Sequence, residues 1–137
     1  DALHISESNI INQTFHNPLG KMNGQDICII SLKEVSGNGL CCYRQVNDSD
    51  VLVLLEEQDY NEILDETLQR IRRDFNHISG VFSINCVFRY LLFSQEHHME
   101  DYLKTMSTLG EHAGLIGFGE HYNQQFVNQT MTCVVFE

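Results

Sequence analysis

The stretch Ser79-Gly80-Val81-Phe82-Ser83-Ile84-Asn85-Cys86-Val87-Phe88-Arg89 decides how the chain is read. Ser79 to Asn85 reads as a strand, and the apolar run Val87 to Phe93 behind it is long enough for one or two helical turns. A second helix is expected from a cap at Ser94 to about Leu109. Met99, Tyr102, Leu103, Met106 and Leu109 form its inward face, and Gly110 is its C′ residue. Ala113 to Gly119 is the next strand. If the two strands share a sheet and run parallel, their crossover is right-handed and their C-terminal ends lie on one edge. In α/β-type arrangements that edge is where small molecules are held.

Working outward, Tyr60 to Phe75 reads as a helix with Tyr60, Ile63, Leu64, Leu68, Ile71 and Phe75 on one face. Asp59 is its N-cap, with Glu62 three residues on. Upstream, Ile27 to Leu32 and Leu40 to Arg44 form a predicted hairpin around Ser36-Gly37-Asn38-Gly39. Val51 to Leu55 is continuously apolar, as for a buried strand. Gln129 to Phe136 is the last strand. The order β-β-β-α-β-α-β-β predicts an α+β single domain. Its sheet is mixed and largely antiparallel, of five to six strands, with two main helices packed against it. Residues 1–25 are polar, hold the lone proline, Pro18, and read as a connector into a domain spanning 26–137.

The 137 residues suffice for one domain with a real core. Eight basic against nineteen acidic residues give a net charge of −11, which argues against nucleic acid and against an anionic membrane surface. Arg70, Arg72 and Arg73 are the single basic cluster and suit the C-terminal end of a helix. No apolar run reaches the roughly 18 residues of a membrane span. The five cysteines include no C-x-x-C pair and fit free thiols in a reducing cytosol, so a cytoplasmic location is expected.

The chemistry gathers at strand ends: Cys86 with Arg89, Gly117-Phe118-Gly119-Glu120, and Asn128-Gln129-Thr130. A guanidinium grips a carboxylate and a carboxylate receives an ammonium group, so Arg89 and Glu120 together suit an amino acid. The alternative is an Arg89–Glu120 ion pair that organises the turn. Cys86 is either a ligand-contacting or redox-sensitive thiol, or a small buried residue. Gly117 and Gly119 around Phe118 either line a pocket or allow a tight strand exit. Asn128 and Thr130 either fix the last strand's start or touch a ligand. A base for Cys86 would have to come from His112 or His121. The seven histidines show no metal spacing, and no catalytic set is complete, so neither a metal nor an enzyme is expected.

These residues resemble the C-terminal half of FIST proteins, a sensory module of bacterial and archaeal signalling proteins that also occurs in some eukaryotic F-box proteins. The resemblance runs from about His16 to Glu137. It rests on Asn17-Pro18-Leu19-Gly20, on Cys86 with Arg89, on Gly117-Phe118-Gly119-Glu120 and on Asn128-Gln129-Thr130. It departs at Val87 and Phe88, where small residues are usual, and at Asn17, where the family has His. It implies an N-terminal FIST half, a small-molecule ligand with amino acids among the candidates, and a signalling output domain or partner. The reading is non-catalytic; haem is the alternative ligand the resemblance carries, and a protein–protein scaffold and a thiol enzyme built on Cys86 are the other rivals.

Overall fold

The computed structural model describes residues 3–24, 26–122 and 125–137. The chain divides into two units, Asp1–Glu57 and Gln58–Glu137. The fold is α+β, with the strands distributed among small sheets that are mostly antiparallel.

The first unit opens on a short helix, α1 (Ile10–Gln13). A sheet in the order β2-β1-β5 follows, made of β1 (Leu19–Asn23), β2 (Asp26–Ile30) and β5 (Leu52–Leu54). The segment expected to be irregular up to residue 25 therefore supplies a central strand. Pro18 stands one residue before it and gives its carbonyl to Leu55 N, 2.9 Å away. The predicted hairpin forms one strand later, between β3 (Leu32–Ser36) and β4 (Gly39–Cys42), with Gly37 at φ 58°. Its polar first arm, Lys33 to Ser36, lacks the apolar signature of a buried strand, because all four residues are exposed. Val51 to Leu55 is not a buried strand. β5 is an edge, and Val51, Leu52 and Leu54 are exposed.

The second unit begins with α2 (Tyr60–Asp74), started as expected by Asp59, whose carboxylate accepts from Asn61 N at 2.8 Å and Glu62 N at 3.3 Å. β6 (Gly80–Cys86) is followed directly by α3 (Val87–Gln95), then α4 (Met99–Ser107) and β7 (Glu111–Gly117). The crossover is present: β6 and β7 run parallel, Gly80 opposite Glu111 through Cys86 opposite Gly117. β10 (Met131–Phe136) pairs antiparallel on the other side of β6, which is thus central. A small hairpin, β8 (Glu120–Tyr122) with β9 (Gln125–Val127), occupies the polar segment between β7 and β10.

The helix expected from Ser94 to Leu109 is two helices. Ser94 lies inside α3 and bonds back to the Tyr90 carbonyl at 2.7 Å instead of capping. His97, at φ 56°, takes the left-handed position that ends α3. His98 N then reaches Phe93 O at 2.8 Å and His97 N reaches Ser94 O at 3.4 Å, the paired bonds of a Schellman end. A histidine tolerates this geometry without the glycine that would announce it.

Leu64, Leu68, Val81, Leu92, Phe93, Tyr102, Met106 and Leu109 fill the core of this unit. Each fully buried large side chain contributes roughly 1.5–3 kcal/mol. The expected inward residues Ile63 and Leu103 are exposed instead, because their helices bury narrower stripes. Gly114 sits mid-strand in β7 because a Cβ there would lie 2.6 Å from Ser83 Oγ and 2.7 Å from Ser83 O. Gly114→Ala must therefore push β7 away from β6. Its urea midpoint should fall by the equivalent of about 1–3 kcal/mol; an unchanged midpoint would show that the two strands are not this close.

Candidate functional site

The three sequence clusters meet at the C-terminal end of β6. Cys86 is opposite Gly117 in the parallel ladder, and its N–H donates to Thr130 O at 2.9 Å. Thr130, Cys86 and Gly117 thus form a row across three chain segments. Side chains on paired strands share a face, so the row presents one surface.

Glu120 closes over that surface. A Cβ on Gly117 would lie 2.5 Å from Glu120 Oε1 and 3.2 Å from Ile84 Cγ2. The missing side chain at 117 is the space the carboxylate occupies. Glu120 is only 4% exposed, and Oε1 accepts from Gly119 N at 3.3 Å. Oε2 is buried without a hydrogen-bond partner among the described residues, and so is Thr130 Oγ1. A buried carboxylate oxygen left unpaired is costly.

Cys86 is 1% exposed and stands beside Glu120. Burial pushes its thiol pKa up. The backbone N–H groups of Phe88 and Gln129 oppose that shift, and the neighbouring carboxylate adds to it. The sulfur is therefore a protonated thiol at neutral pH, able to donate toward Glu120 and poorly nucleophilic.

Arg89 lies elsewhere. Its Nε donates to Asn85 Oδ1 at 3.2 Å and its Cζ lies 4.8 Å from the centre of the Phe93 ring. Asn85 precedes Cys86 in β6, so the two side chains leave opposite faces of the sheet. The expected Arg89–Glu120 ion pair is not formed, and among the described residues no carboxylate pairs with Arg89. Burial pulls its pKa down from the usual high value, with Tyr102 and Cys86 acting the other way.

Phe118 is 87% exposed and does not cover a pocket. Gly119, at φ 149°, takes a conformation closed to side chains and brings Phe126 against the turn. Asn128 is buried in the turn before β10, where Gln129 takes φ 55°.

Neither histidine considered as a base reaches Cys86. His112 Nε2 bonds Ser83 Oγ at 2.9 Å on the helix-facing side, and exposed His121 lies against Phe126 with ring centres 5.2 Å apart. Neither presents a nitrogen into a buried apolar space, so these two residues do not fit a haem axial ligand.

Sequence reasoning missed Ser83, Asn85, Tyr102 and Gly114 as members of the site's support. Their signal was polar residues at alternate positions of an otherwise apolar strand, and a glycine in mid-strand.

Residues 1–123 of the 137 match the FIST C domain family. The chain belongs to the FIST C domain family. This is a family of sensory and signal-transduction domains. The matched span includes Cys86, Arg89 and Gly117 to Glu120, and Asn128 and Thr130 lie beyond it. No curated protein matches the chain, and no solved structure does. Among the described residues, no helix of this FIST C domain is long and apolar enough to cross a membrane.

The buried row predicts a selective reactivity. On brief treatment of the folded protein with iodoacetamide at pH 8, half-buried Cys41 and Cys42 should label first, with Cys86 at least about tenfold slower. Peptide mass spectrometry reads this; labelling of Cys86 as fast as Cys41 would contradict the site's closure.

Proposed function

We propose that this FIST C domain is a non-catalytic input module of a cytosolic signalling protein, and that it binds a small amine-bearing ligand, an amino acid, at the C-terminal end of β6. The observation that supports it most is Glu120: a carboxylate 4% exposed whose Oε2 has no hydrogen-bond partner among the described residues, with only the weakly donating Cys86 thiol beside it. A ligand ammonium group supplies that donor and neutralises the charge. Thr130 Oγ1, also buried without a partner among the described residues, offers a second contact on the same side of the sheet.

Arg89 enters as the anchor for the ligand's carboxylate. Its Nε is held by Asn85, which leaves the Nη end of the fork for an anion. Because Asn85 and Cys86 leave opposite faces, such a ligand caps the end of the strand instead of lying on either face. The protonated Cys86 and the engagement of His112 and His121 with other partners support binding without covalent chemistry.

Signalling then follows by population shift. A ligand that fits one arrangement of this domain against an N-terminal FIST half and an output partner better than another moves the equilibrium by that difference.

A thermal-shift panel of the common amino acids tests the reading. A true ligand at a hundredfold excess over its Kd stabilises by about 2.7 kcal/mol. The expected result is at least one such shift, lost in Glu120→Gln and weakened in Arg89→Lys. No shift with any amino acid, or one that survives both substitutions unchanged, overturns it.

A further inference from the structure

We propose that Tyr102 is the positioning residue for Arg89, holding the guanidinium at the end of β6 through the side-chain amide of Asn85. The proposal rests on the reading above only in giving Arg89 a ligand to meet; where the guanidinium is held, and by what, stands on the hydrogen bonds alone.

The direction of those bonds is forced from one end. A guanidinium Nε only donates, so Asn85 Oδ1 is the acceptor at 3.2 Å. That fixes the amide, whose Nδ2 then donates to Tyr102 Oη at 2.7 Å. The tyrosine proton is left to point at Met131 Sδ, 3.2 Å away, or Ser83 Oγ, 3.3 Å away. Ser83 Oγ in turn lies 2.9 Å from His112 Nε2, which accepts in the neutral tautomer that carries its proton on Nδ1. Burial pulls the His112 pKa down and so favours that neutral form. From Arg89 to Tyr102 each donor points away from the cation, so its charge polarises both bonds in the favourable sense.

The surroundings leave this chain little alternative. Ser83 and Tyr102 are each 1% exposed and Asn85 6%, so water does not readily replace a lost partner. Gly114 keeps Cβ out of the space beside Ser83. The chain ties α4 through Tyr102, β6 through Ser83 and Asn85, α3 through Arg89, β7 through His112 and β10 through Met131.

The test reads Arg89 directly and needs no ligand. In protein carrying 15N-arginine, the Arg89 Nε–H signal is identified among five arginines by its loss in Arg89→Lys. In the wild type it should exchange slowly with water. Tyr102→Phe keeps the ring and its packing and should speed this exchange about five- to tenfold, moving the Nε shift toward that of the exposed arginines. Ser83→Ala, one bond further along, should do the same to a smaller extent and serves if Tyr102→Phe fails to fold. Met106→Ala, in the core of α4 but outside the chain, should lower stability and leave the Arg89 signal in place. Unchanged exchange in both Tyr102→Phe and Ser83→Ala, or an equal change in Met106→Ala, overturns the proposal. Failure of amino acids to bind would overturn the ligand reading and leave this measurement unaffected.

Discussion

The central position of β6 is the constraint on which the second unit depends. One strand pairs parallel with β7 and antiparallel with β10, then turns at Cys86 straight into α3. Its last two residues consequently serve two environments. Asn85 faces the helices and joins a polar chain; Cys86 faces the other way, with Gly117, Thr130 and the carboxylate of Glu120 around it. If β6 slipped by one residue, the thiol would enter the Tyr102 network and the amide would replace it beside Glu120. Both sets of contacts would fail together. Gly114 and Gly117 guard this register, because each leaves a space that a polar group of the site fills: Ser83 in one case, Glu120 in the other.

Among the described residues, the cost of this arrangement is a carboxylate oxygen and a hydroxyl buried without partners, and a cation without a counter-ion. Such groups weaken an isolated fold. On the proposed reading the bound state differs from the free state, and a ligand supplies what the chain withholds. Stability held back in this way is what a sensor converts into a shift of population.

Much of this was legible in the sequence. The alternation through Ser79 to Asn85 and the apolar run after it placed the strand, its helix and the parallel crossover. That the ends of the two strands share an edge followed once the strands were taken as parallel, which they are. The Asp59 cap was readable because its chemistry is local. The partner of Arg89 was not, because opposite charges in sequence do not say where each side chain is carried; Arg89 stands on α3, four residues after Asn85, and meets that amide instead of Glu120. The break at His97 was hidden because a histidine took a conformation usually marked by glycine. β5 misled for a different reason: five consecutive apolar residues describe a buried strand and an exposed edge equally well until the strand count is known. The glycines around Phe118 left a pocket lining and a tight strand exit equally open; they serve the carboxylate and the turn, and the ring faces solvent.

The account's central claim is that the end of β6 holds a buried carboxylate open for a ligand donor. An experimental structure of this domain with an amino acid bound tests it most directly. The predicted result is the ligand's ammonium within hydrogen-bond distance of Glu120 Oε2, with Arg89 still bonded to Asn85 through Nε. Glu120 turned out to solvent, or paired with Arg89 and leaving no room for a ligand, would contradict it.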